Sequence, residues 1–348
     1  MNTVSSVGSN RQTESVTNAG STQGPAVGLV FEYFTGDEVA AVRADLEIRS
    51  GNAALPQIVA AATNALRAED VSRTRLVFTG DFVQSVNARD DSGDHAYSTA
   101  RGAGFVVGKT MPPNADGVVD VLFPSFFALP HIEGEGDEQV RADLVRHLAT
   151  HEAVHATIHH LKTEPFKVYK RERLGDAALQ FAAMASEQVE EHLAEYLANQ
   201  VVVSQMGETA EDVKASFEAL QETLDTKLPG ILADDPDYFR KGMFASFEAL
   251  QIVWKSFSYL AAALRTGDTF AAVPADIASL DKWRDHVAPW WEAYTAMLGR
   301  IPMSTDVDIP ATDRVVRLIG MLLQRWALGL GFDYHDTAEG AWFQVHQD

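Results

Sequence analysis

The sequence predicts an α+β protein, with a small mixed sheet in the first part of the chain and a mostly helical remainder. Three observations predict it. Between Arg75 and Phe127 the apolar residues fall in short β-branched and aromatic runs bounded by Gly, Asp, Asn and Pro, as strands require. Beyond Asp137 they recur instead every three or four residues, the period of a helix with one buried face. Of the 348 residues, 46% are hydrophobic and 22% charged, enough apolar material for a sizeable core.

Residues 1–26 are rich in Ser, Thr, Asn and Gly and contain nothing that could form a core, so a disordered leader is expected there. Val39 to about Arg67 reads as helix, interrupted at Ser50-Gly51-Asn52 and restarted after Pro56. The stretches RLVFTGDFVQSV (75–86), GAGFVVGKT (102–110) and GVVDVLFPSFF (117–127) read as strands. After the loop GEGDE (134–138), helices are expected at 138–161, 176–206, 208–226, 237–265, 276–299 and 311–330. Turn signals such as Leu228-Pro229-Gly230 and Ile301-Pro302 separate them. SFEAL occurs at 216–220 and again at 246–250, and five shared residues on two amphipathic helices read as coincidence. The Trp and Tyr residues at 283, 290, 291, 294 and 326 read as helix-spaced core.

The formal charge of −21 argues against nucleic acid or an anionic membrane as partner, because phosphate binding needs a basic face. The chain has no cysteine. Disulfides, thiolate metal sites and cysteine nucleophiles are therefore excluded, and any metal must be held by His and carboxylates. Neither a spanning apolar run nor a signal-peptide pattern is present, so a cytoplasmic protein is expected. Its oligomeric state is open. The one basic stretch, KTEPFKVYKRERLGD (162–176), reads as a solvated connecting loop.

Residues 147–160 read HLATHEAVHATIHH, with histidines at 147, 151, 155 and 159. Residues four apart on a helix share a face, about 40° from one another. Among the three overlapping pairs, only His151/His155 encloses a carboxylate, Glu152. Two neutral imidazoles can hold a Lewis-acidic ion while the adjacent Glu takes the proton of a metal-bound water, as in metal-assisted hydrolysis. Leu144, Val145, Leu148, Val154 and Ile158 supply the buried side of this helix. His147 and His159 read as flanking residues, and His160 as solvated.

A catalytic metal site needs a third protein ligand. The continuation H-x-x-G-x-x-H fails, because Ile158 and Leu161 occupy its key positions. The next helix carries Glu187, Glu191 and Glu195 on one face, opposite Val189, Leu193, Leu197 and Val201. Either Glu191 or Glu195 could reach a metal. Followed by Ala198 and Asn199, Glu195 has a small neighbour for close helix approach and an amide that can hydrogen-bond a ligand.

His151-Glu152-x-x-His155 followed by Glu195-x-x-Ala198-Asn199-x-Val201 resembles the gluzincin-type zincins, in particular the ImmA/IrrE-like metallopeptidases. Val201 and Val202 stand where that pattern has Phe and Ala. The resemblance implies a zincin-like catalytic domain over residues 27–207, with a helical region over 208–348 packed on it. It implies a Zn2+ cofactor on His151, His155 and Glu195, with Glu191 as the alternative third ligand, Asn199 behind the ligand and Glu152 as base. It further implies a peptide or protein substrate, lying along an edge strand that would present Val119 and Val121. An oxyanion donor is required as well, for which Tyr259, His286, Tyr294, Tyr334 and His335 are all candidates. Two other functions compete. A di-iron carboxylate oxidase shares the E-x-x-H element Glu152-x-x-His155, but no second histidine here has Glu three positions before it. A zincin-fold binding or regulatory protein would have no need of Glu152.

Overall fold

The structure is a computed structural model. It describes residues 11–12, 26–38, 40–41, 54–90, 100–101, 104–105, 108–128, 138–161, 175–202, 209–229, 238–302, 304 and 308–346. The basic stretch 162–174 lies outside them. The chain divides into two compact units. One comprises Met1–Thr99, Val106–His160 and Val201–Gln205; the other comprises Ala100–Phe105, Leu161–Gln200 and Met206–Asp348.

The first seven strands are β1 (Arg11–Gln12), β2 (Gly28–Glu32), β3 (Thr74–Thr79), β4 (Ala100–Arg101), β5 (Gly104–Phe105), β6 (Lys109–Thr110) and β7 (Val119–Pro124). β4 and β5 pair with each other in the second unit. The other five make the sheet of the first unit, in the order β1-β2-β3-β7-β6. β2, β3 and β7 are parallel, with Leu76 opposite both Leu29 and Val121. β1 and β6 run antiparallel to their neighbours. Parallel strands covered on both faces read as apolar runs, and those of β3 and β7 divide by alternation. Leu76, Phe78, Val119, Val121 and Phe123 pack with Leu55, Ile58 and Ala62 of the helix Ala54–Ala65. On the other face Val77 and Leu122 pack with Val30, Phe82, Val86 and Met111.

Several expectations are corrected here. The strand expected over 75–86 stops at Thr79, because the Asp81 side chain accepts from Gln84 N at 3.0 Å and caps the helix Phe82–Asn87. β2 is a strand where none is expected. Arg11 and Gln12, inside the expected leader, pair with Glu32 and Phe31. β7 is not the sheet's edge: Lys109 and Thr110 pair with Leu122 and Val121, and Met111 N donates to the carbonyl of Asp120. Val119 and Val121 are fully buried core residues and present nothing to a substrate. The described edge on that side is β6.

The second unit is helical. Its principal helices are Asp176–Val201, whose last residue falls in the first unit, then Ala210–Glu222, Tyr238–Leu264, Ala288–Leu298 and Ile309–Gly329. The Asp176–Val201 helix is called the carboxylate helix below. Its Phe181, Ala185 and Val189 join Phe247, Trp254, Phe257, Ile319 and Trp326 in one core. Gly320 permits a close helix crossing, since a methyl there would meet the Phe181 carbonyl oxygen at 3.2 Å. The helix expected at 276–299 is three shorter ones, Ala275–Ala278, Asp281–His286 and Ala288–Leu298. Pro289 falls in the first turn of the third, where its missing N–H costs no helical bond. Trp283, Tyr294 and Trp326 are buried, as their spacing implies.

Two hairpins were not expected. β8 (Arg265–Thr266) and β9 (Thr269–Phe270) turn at Gly267, whose φ is +62°. β10 (Phe332–Thr337) and β11 (Gly340–Val345) set Tyr334 and Phe343 into the core. Asp336 of β10 accepts from Ala177 N at 3.0 Å and Ala178 N at 3.2 Å, capping the carboxylate helix from 159 residues away. Among the described residues, no helix is long and apolar enough to cross a membrane.

Candidate metal centre

The histidine motif lies on the helix Glu138–Leu161. Val145, Ala149, Ala153 and Ala156 face the sheet, and three of these four are alanines, which keeps the helix close to it. His151 stands two residues from both Ala149 and Ala153, so at about 100° per residue the histidine row faces away from the sheet. His151 Nε2 and His155 Nε2 are 3.1 Å apart. Two imidazole nitrogens on one tetrahedral ion, each about 2.0–2.1 Å from it, would be roughly 3.3 Å apart. The pair therefore fits a shared ion.

Glu152, the residue after His151, is buried. Thr110 Oγ1, on β6, lies 2.7 Å from Glu152 Oε2 and 2.9 Å from the Glu152 carbonyl oxygen. Gly108 closes the other side, because a methyl there would sit 2.8 Å from Glu152 Oε1. Nothing in the sequence marks Thr110 or Gly108 as partners of the motif.

The remaining histidines of the helix have distinct surroundings. His147 is buried, and its Nδ1 lies 3.0 Å from the carbonyl oxygen of Val202. That bond makes Nδ1 the protonated nitrogen and turns the lone pair onto Nε2, the tautomer a ligating histidine needs. His159 is half-buried. His160 is not solvated as expected: its Nε2 lies 3.1 Å from Thr74 Oγ1, whose hydroxyl donates to the Asp70 carbonyl. Burial lowers its pKa, and Arg73 and Arg67 add to this against the pull of Asp70.

In the second unit, the carboxylate helix exposes Glu187, half-buries Glu191 and largely buries Glu195. Glu191 Oε1 accepts from Lys255 Nζ at 2.7 Å, and Oε2 accepts from Tyr259 OH at 2.8 Å. Glu195 Oε1 accepts a longer bond, 3.4 Å, from Asn199 Nδ2. One helical turn before Glu195, His192 is completely buried. Its Nδ1–H donates to the Ser258 carbonyl at 3.3 Å, and its Nε2 accepts from Arg265 at 3.1 Å. The same guanidinium donates to the carbonyls of Leu298 and Ile301, both at 2.9 Å, at the C-terminal end of the helix Ala288–Leu298, where carbonyl dipoles favour a cation.

Burial, and then the Arg265 charge, push the His192 pKa from 6.5 down to about 3, against the Ser258 carbonyl and Glu195. The unfolded chain therefore takes up this proton near pH 6.5 and the folded one only near pH 3. Stability from this group is complete above pH 6.5 and is lost as pH falls toward 3, by up to about 1.4 kcal/mol per pH unit. Urea unfolding between pH 7 and pH 4 checks this, and His192→Gln is expected to flatten the profile in that window. A Gln variant with the wild-type slope would assign the acid sensitivity to other groups.

The five oxyanion candidates separate. Tyr294 is buried with its hydroxyl 2.8 Å from Ser258 Oγ, and Tyr334 is packed between Phe181, Phe247 and Phe343. His335 Nδ1 lies 2.7 Å from Asp333, and the His286 carbonyl accepts from Trp326 Nε1. Tyr259 is the one joined to a carboxylate of the carboxylate helix.

Among the described residues, the side chains that could hold a metal ion include His147, His151 and His155 in the first unit and Glu191 and Glu195 in the second. The donors are imidazole nitrogen and carboxylate oxygen without sulfur, a set that suits zinc and also iron or manganese. No family model, curated protein or solved structure matches the chain.

Proposed function

We propose that this protein is a zinc-dependent hydrolase acting on peptide bonds. The observation that carries the proposal is the convergence of His151 Nε2 and His155 Nε2 to 3.1 Å on a helix where the intervening Glu152 is buried and held by Thr110. His151 and His155 would hold the ion, and Glu195 would complete its protein ligands. Glu195 is preferred to Glu191 on the motif that follows it, with Ala198 small and Asn199 Nδ2 donating to Glu195 Oε1 at 3.4 Å; Glu191 is the alternative. When bound, the ion would act as a Lewis acid on water and on the substrate carbonyl. Glu152 would take a proton from the attacking water and return it to the departing amine. An extended peptide would add to the outer edge of β6, where main-chain bonds hold a strand without demanding a particular side chain. β6 would then take the role expected of β7. Burial of the Glu152 region would keep bulk water from competing for the proton.

Metal analysis with a peptide-cleavage screen tests the reading. Purified protein is expected to carry one equivalent of zinc, to lose cleavage with a chelator and to regain it with zinc. Glu195→Ala should weaken zinc binding at least tenfold more than Glu191→Ala. The reverse ranking would move the third ligand to Glu191. Two irons per chain would point to a carboxylate oxidase, and zinc without turnover to a binding protein.

A further inference from the structure

We infer that Thr110, together with Gly108, is a positioning residue that holds the Glu152 carboxylate in one place. The inference rests on the hydrolase reading above. Thr110 is buried on β6, where pairing with Val121 fixes its backbone. Its hydroxyl oxygen lies 2.7 Å from Glu152 Oε2 and 2.9 Å from the Glu152 main-chain carbonyl oxygen. A threonine hydroxyl has one proton and two lone pairs, so it donates one of these bonds at a time.

Removing the hydroxyl would take this partner from a buried carboxylate oxygen and leave the side chain without its fixed contact, which is costly.

Gly108 completes the clamp. A methyl at that position would come 2.8 Å from Oε1, 2.9 Å from Cγ and 3.0 Å from Cδ of Glu152, so only glycine lets the carboxylate lie where it does. Thr110 and Gly108 thus hold the carboxylate from two sides, restricting a side chain with three rotors before substrate arrives.

Thr110→Val keeps the shape and removes the hydroxyl. It is expected to lower kcat roughly tenfold or more, with KM and zinc content unchanged. Thr110→Ser should restore most of the rate, and Gly108→Ala should lower kcat in the same direction by displacing the carboxylate. The pairing is also read without turnover. Urea midpoints of Thr110→Val, Glu152→Ala and the double variant should be non-additive, because neither single variant leaves the other residue its partner. Unchanged kcat in Thr110→Val, or additive midpoints, overturns the inference and leaves the hydrolase reading in place. Coupled midpoints in a wild-type protein that cleaves nothing would instead overturn the hydrolase reading while the Thr110–Glu152 pair stands.

Discussion

Replacing His151 and His155 together with alanine is expected to abolish metal binding and leave a folded protein. Both side chains lie on the face of their helix turned from the sheet, while Val145, Ala149, Ala153 and Ala156 bind that helix to the core. The substitutions therefore remove ligands without opening the main apolar contact, and alanine favours the helix. If the proposed site is right, losing two of its three protein ligands would leave one carboxylate to compete with water for the ion, so the expected change is from one equivalent to none. Metal content after gel filtration, with circular dichroism as the control for folding, is the measurement. One equivalent of zinc retained by the double variant would dismiss this site. His147→Ala is the matched control. With the ion on His151 and His155 it keeps the metal, whereas loss of metal would bring His147 into the site.

The helix that carries this site was legible because its signal is local. Apolar residues three and four apart and histidines four apart specify a helix, its buried side and a shared face, and the structure has that helix from Glu138 to Leu161. Other features depend on neighbours remote in sequence. Which strand lies at the edge of the sheet follows from pairing topology: GVVDVLF is β-branched and alternating whether or not Lys109 and Thr110 cover it. Thr110 meets Glu152 across 42 residues, and Arg265 meets His192 across 73. Periodicity carries no information at such separations. β8 and β9, two residues each, are too short to show a period at all. The strand misread over 75–86 failed for a different reason. Phe82 and Val86 are apolar in either conformation, and the capping bond of Asp81 decides for helix.

Glu152→Gln is expected to reduce peptide hydrolysis by roughly a hundredfold or more while leaving zinc in place, since general-base catalysis contributes on that order. The substitution keeps the length and shape of the side chain. Its amide oxygen can still accept from Thr110, so the wall formed by Gly108 and Thr110 stays filled. What it loses is the basic oxygen. An amide cannot take a proton from water near neutral pH, and no proton is then stored for the leaving amine. In the proposed site the metal would be held by His151, His155 and Glu195, none of which is altered. The two readouts should therefore separate, with zinc stoichiometry at the wild-type value and kcat collapsed. A zinc-loaded Gln variant with near-normal turnover would end the role of Glu152 as base. Loss of zinc together with activity would show that Glu152 acts on the metal itself, and the water-activating carboxylate would have to be sought at Glu191 or Glu195.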